Sequence, residues 1–298
     1  MMGGLGCRRQ ARQILSLPRR SSYAGAVTEA DPLEIAAAQL AIDDLWSEDL
    51  PQVATDALVR GQDSPSLRLL ASQSRSDVRD SADLFRSALH ELSIEPLDAE
   101  SAHWLLIRQT SGDIVAGRVD PIIAADRFRK SSHEMQDCGD LLIFVGLLSQ
   151  HEDHPEDEDR SRDAIVAESS DLLSRAAPRV WLTLVARGDQ PPLLRTATPE
   201  NLPIDPSALP LSADLRVAVH QWAGDYQEAL GDWPQRGGFE SISDAERFVE
   251  QGARLVERLQ FELGPTFYVD YFPEPIRPPS VKLKRSPWSR FRRLTRGH

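Results

Sequence analysis

The chain has 298 residues, 41% of them hydrophobic, and a formal net charge of -12; that length and apolar content support two ordinary domains with real cores and exclude a disordered polymer. The charge is sorted along the chain: residues 1–28 carry five Arg and no acid, residues 281–298 carry seven Lys or Arg and no acid, and the remaining 29–280 hold -24. Two cysteines, Cys7 and Cys138, make neither a disulfide framework nor a zinc spacing and fit a reducing cytoplasm, and the longest apolar run, LLIFVGLL at 141–148, is far short of the ~20 residues of a spanning helix.

The first segment, 1–30, reads as a disordered basic extension; its Arg8, Arg9, Arg12, Arg19 and Arg20 accompany no h-region of a secretory signal, though an Arg-rich, acid-free start also has the composition of an organellar transit peptide. Asp31-Pro32-x-Glu34 then supplies an N-cap, a first-turn proline and an early acid, predicting a helix from Pro32 to about Ser47. Similar punctuation at Asp49-x-Pro51, Ser64-Pro65, Ser76-Asp77, Asp98-x-Glu100, Asp120-Pro121 and Pro155-Glu156 marks further helix starts, so 31–177 is an acidic all-helical domain. Val78, Ala82, Phe85, Leu89 and Leu92 fall on one helical stripe, and Leu141, Phe144, Val145 and Leu148 belong to a helix apolar on most faces, a central one. LVRGQDSP (58–65) and IVAGRVDP (114–121) repeat a pattern at an offset of 56: Gly61 and Gly117 take positive φ to end one helix, and Ser64-Pro65 and Asp120-Pro121 start the next. A shared αα-hairpin joint explains this repeat, with duplication as the alternative.

After Pro178 the period changes. Val180 to Val185 is a β-branched and aromatic run that predicts a strand. Pro191, Pro192, Pro199, Pro203, Pro206 and Pro210 follow, predicting a connector without regular structure. Leu215, Val219, Trp222 and Tyr226 mark a helix capped at Ser212. Ser243-x-x-Glu246 reads as a capping box for the next helix, whose stripe is Phe248, Gly252, Leu255 and Leu259 and which Gly264-Pro265 stops. A glycine inside a helix costs up to ~1 kcal/mol against alanine, so Gly252 predicts a close backbone neighbour, most simply the helix of Trp222. Phe267 to Phe272 alternates and predicts a second strand, with Phe267, Val269 and Tyr271 on one face. The fold expected is mainly α with a small α+β part: an N-terminal multi-helix domain followed by a strand-helix-helix-strand unit over 178–279, then a basic disordered tail over 280–298.

Chemistry is sparse. His151 and His154 in HEDHPEDED are three apart and separated from a helical register by Pro155, so they lack the spacing of a zinc protease; the run reads as a solvated acidic loop, with these two histidines as weak metal candidates. No GxSxG elbow, P-loop or CxxC pair is present, and the sequence assigns no catalytic residue and no cofactor. The interaction candidates are the aromatic pair Trp233 and Phe239 and, in the tail, Trp288, Arg292 and Arg293, where aromatics alternate with cations. An anionic body repels polyanions over ~8 Å at physiological salt, which disfavours nucleic acid as a partner of the whole chain.

DALVRGQDSPSLRLLA with IVAGRVDP, and AERFVEQGARLVERLQFELGP followed by VDYFPEP, resemble segments of uncharacterised two-domain helical proteins of high-GC, actinobacteria-like bacteria. The resemblance brings no catalytic residues. Some acidic cytosolic proteins of such genomes are similar to immunity proteins that neutralise toxins, which implies a protein partner. The sequence thus favours a cytoplasmic, non-enzymatic protein of immunity or regulatory type that binds another protein, a basic one. Two alternatives stand beside it: an enzyme of unrecognised class with an interdomain pocket, and nucleic-acid or membrane-surface association through the basic tail.

Overall fold

A computed structural model describes residues 30–74, 79–136, 138–175, 177–187, 190–196, 201–230 and 239–273. Among them the chain is mainly α with a small α+β part, as the composition of its segments predicts. They fall into two compact units, one formed by residues up to 135 with 147–175 and the other by 136–146 with 177–273.

In the first unit the helices are α1 (Pro32–Ala41), α2 (Leu50–Val59), α3 (Pro65–Ala71), α4 (Ser81–Glu91), α5 (Ala99–Val115), α6 (Pro121–Glu134) and α8 (Glu158–Ser174), the last preceded by a 3-10 turn, Pro155–Asp157. Four of these starts are set by side chains that accept from orphan N–H groups: Asp31 from Leu33, Ser64 from Leu67, Asp98 from Ser101, and Asp120 from Ile122 and Ile123; Asp49 precedes α2 without such a bond, and the expected start at Ser76-Asp77 lies outside the described residues. Leu33, Leu50, Leu67, Leu70 and Phe85 are fully buried in one core, Ala82 and Leu92 pack on it, and Val78 lies outside the described residues. Arg108 on α5 donates to the carbonyls of Leu172, Leu173 and Arg175, closing the C-terminus of α8 with a cation, where the helix dipole favours one.

Helix ends carry a repeated device. Gly61 and Gly117 have φ of 88° and 69°; in each case the next two N–H groups fold back, Gly61 to Leu58 and Gln62 to Ala57, Gly117 to Ile114 and Arg118 to Asp113. Both halves of the sequence repeat are therefore helix, left-handed glycine, capped proline helix. The same closure occurs at Asp43 (φ 56°), with Asp43 N–H on Leu40 and Asp44 N–H on Gln39, and at Ser93 (φ 59°), with its N–H on His90 and that of Ile94 on Leu89. This is why α1 stops at Ala41, short of the expected Ser47: Asp tolerates the left-handed conformation that ends the helix.

Helix α7 (Gly139–Asp153) is apolar along most of its length, and Leu141, Ile143, Phe144 and Leu148 are buried. Its residues up to Gly146 cluster with the second unit and the rest with the first.

The second unit holds strands β1 (Val180–Val185), β2 (Leu193–Arg195), β3 (Leu202–Ile204) and β4 (Phe267–Phe272), a 3-10 turn (Pro206–Ala208), and helices α9 (Ala213–Leu230) and α10 (Ile242–Leu263). The sheet order is β3-β2-β1-β4, with β1 parallel to β4 (Leu182 opposite Val269) and antiparallel to β2 (Thr183 opposite Leu194). The Pro-rich connector is therefore not irregular: it supplies β2 and β3. Pro203 sits on β3, an edge strand, where a missing N–H is tolerated. Leu182 and Leu184 of β1 face a core with Leu193, Ile204, Val269 and the apolar stripes of α9 and α10.

The alternate residues of β1 pack on the other side of the sheet. The Trp181 ring stacks on Tyr268 at 4.2 Å and lies against Gly139, the first residue of α7, where any β-carbon would collide with the indole. Trp181 Nε1 donates to buried Asp140 at 3.2 Å, and Arg179 gives the same carboxylate its Nε at 2.7 Å and its backbone N–H at 2.9 Å.

Candidate interaction surface

Helices α9 and α10 cover one face of the sheet and turn their other faces outward. Their union is aromatic: Trp222 stacks on Phe248 at 4.8 Å and donates Nε1 to the Phe248 carbonyl at 3.1 Å, with Tyr226 against the same ring. At one end Glu262 of α10 accepts from the N–H and hydroxyl of Ser212, and Ser212 Oγ in turn accepts from Leu215 N–H, capping α9 as expected. The Ser212 backbone N–H, then its hydroxyl, hold the Glu262 carboxyl below its usual range.

The start of α10 differs from the predicted capping box. Ser241, not Ser243, is the N-cap: its Oγ accepts from Asp244 N–H at 3.1 Å, and the helix begins two residues earlier. Gly252 does face a close neighbour, and the neighbour is the ring of Tyr271 on β4 rather than the helix of Trp222. A β-carbon there would stand 2.5 Å from Tyr271 Cζ and Oη. The Tyr271 hydroxyl is enclosed and hydrogen-bonds to nothing in the described structure, and burial pushes its pKa upward.

What α9 presents to solvent is an unbroken stripe. Asp214, Val217, Gln221, Gly224, Asp225 and Glu228 are all exposed, recur at helical spacing, and lie away from the buried Leu215, Val219, Trp222 and Tyr226. The nearest cation in sequence, Arg216, is half-buried and donates to the Leu211 carbonyl. The outer face of α10 mixes signs: Arg247 pairs with Asp244 and Arg254 with Glu250, and Phe261 near its end is 87% exposed. Over 181–274 the sequence has 15 Asp or Glu against seven Arg, a formal -8.

The residues singled out from sequence are scattered. Phe239 is half-buried, packed on Phe248 at 5.0 Å between ring centres, so it extends the aromatic core. Trp233, Trp288, Arg292 and Arg293 lie outside the described residues. His151 is half-buried in the last turn of α7, while His154 is exposed and stands 3.4 Å from Glu156. No group of three His, Cys, Asp or Glu among the described residues is placed to hold a metal ion, and no described helix is long and apolar enough to cross a membrane. The stripe on α9 was missed; its signal, acids and small residues opposite a clean apolar stripe, was present in the sequence.

These elements define a two-layer α+β module: a four-stranded mixed sheet, one layer of paired helices over it, and an acid-rich exterior. Over residues 181–274 the chain matches a protein family described as Serratia CdiI immunity protein-like. No curated protein matches the chain.

Proposed function

We propose that the chain is an immunity protein, which acts by binding a toxic protein and blocking it rather than by catalysis. The observation that carries this reading is the coincidence of the family match with a folded unit: the match starts at the second residue of β1 and ends two residues past β4, so it spans sheet, helical pair and outer surface together. The acidic exterior supports a basic partner, since complementary charge speeds encounter and rejects like-charged competitors.

The test mixes the purified full chain with candidate toxic domains of net positive charge from the same genome. A stable complex with one of them in size-exclusion chromatography, weakened by salt, together with rescue of growth when the two are expressed together, is the expected result. Toxins that all stay free and keep killing in the presence of excess chain would overturn the proposal.

A further inference from the structure

The outward face of α9 carries three carboxylates, Asp214, Asp225 and Glu228, that form no ion pair among the described residues, whereas the acids of α10 at Asp244 and Glu250 are paired with Arg247 and Arg254. The same face offers an exposed valine, Val217, 64% accessible, and Gly224. The same chain carries a segment of opposite character: residues 281–298 hold Lys282, Lys284, Arg285, Arg290, Arg292, Arg293 and Arg296 and no acid, with Trp288 and Phe291 between them.

We propose that residues 281–298 dock along the outward face of α9, their cations on Asp214, Asp225 and Glu228 and their aromatics over Val217. Reach allows it. The last strand ends beside the middle of α9, since the Tyr271 ring lies 6.1 Å from that of Trp222. The eight residues from Pro273 to Ser280 can span up to roughly 26 Å, more than the ~10–12 Å diameter of a helix they have to pass. The eighteen residues beyond cover up to ~60 Å extended, against about 27 Å for the whole of α9.

Attachment to the same chain makes the encounter intramolecular, with an effective concentration on the order of millimolar. Weak pairs at an exposed surface then suffice to hold the segment, and salt releases it. The immunity reading is not needed for this: the docking is a property of the chain without its partner.

Limited trypsin digestion of the full chain, followed by mass spectrometry of the cuts between 282 and 296, tests it. Rates are normalised to the free 281–298 peptide at about 0.02 M and about 0.5 M salt. At low salt the wild-type tail is expected to be cut several-fold more slowly than that of the Asp214→Asn/Asp225→Asn/Glu228→Gln variant, and at high salt the two rates converge. A Glu246→Gln/Glu250→Gln/Glu257→Gln variant on α10 is expected to behave as wild type. Equal low-salt rates in wild type and the α9 variant, or equal release by the α10 variant, would overturn the docking site; so would a normalised wild-type rate that ignores salt, a measurement that depends on no variant.

Discussion

Replacing Gly252 by alanine sets two effects of known size against each other. Alanine in a helix interior gains up to ~1 kcal/mol over glycine. Here the new β-carbon would sit 2.5 Å from Cζ and Oη and 2.8 Å from Cε2 of Tyr271. The ring cannot simply swing away: its edge meets Trp222 at 6.1 Å, and Trp222 is itself held by its bond to the Phe248 carbonyl. Overpacking of this kind costs about 1–3 kcal/mol, so Gly252→Ala is expected to be net destabilising by about 0.5–2 kcal/mol. In a Tyr271→Leu background the obstructing atoms are gone and the propensity gain alone remains, so the same substitution should stabilise by up to ~1 kcal/mol. Urea unfolding of the four proteins of this cycle measures the change of sign directly. A Gly252→Ala chain at least as stable as wild type, or an unchanged sign in the Tyr271→Leu background, would refute the assignment of Tyr271 as the neighbour that requires glycine.

Asp140→Asn keeps the shape of the buried acceptor and removes its charge from Arg179 and Trp181; a loss of the order of 3–5 kcal/mol is expected in the same urea assay, as for a broken buried pair. Ser93→Gly should stabilise the chain by about 0.5–1 kcal/mol, read as a higher denaturation midpoint, because its φ of 59° favours glycine. The hydrogen bond from Arg162, then the Ile123 and Ile122 N–H groups, lower the Asp120 pKa, so the folded state prefers the charged form and the stabilisation is present above the ordinary carboxylate range. Asp120→Asn keeps the cap and loses that preference; its stability deficit should be full at neutral pH and shrink as the pH falls below about 4, which equilibrium unfolding at stepped pH would show.

Four helix starts were legible because capping is local: Asp31, Ser64, Asp98 and Asp120 satisfy N–H groups two or three residues away, whereas at α10 two serines compete and Ser241 is the cap. Helix ends were legible only where glycine marks them, at Gly61, Gly117 and Gly264; at Asp43 and Ser93 left-handed closure uses residues that give no such signal. Strands β2 and β3 were hidden for a different reason. Three residues long and set among prolines, they are too short to show a period, and their partners come from β1 and from each other. The neighbour of Gly252 and the bonds of Asp140 join residues 19 and 39 or more positions apart, a distance over which periodicity carries no information. Of the surface, the α9 stripe was readable and overlooked, while Phe239 shows how an aromatic beside a turn is claimed by the core.

Strand β1 lies between β2 and β4, and its neighbours are made at very different times. During synthesis β2 follows within a dozen residues, whereas β4 emerges only after both helices of the layer above have been completed. Until then the run from Val180 to Val185 offers one bare hydrogen-bonding edge on an almost wholly apolar segment, the kind that recruits strands from other chains. Any truncation ahead of Phe267 leaves that edge on the most buried, wholly uncharged strand of the sheet, whereas in the complete sheet the edge position passes to β4, a less buried strand that carries Asp270.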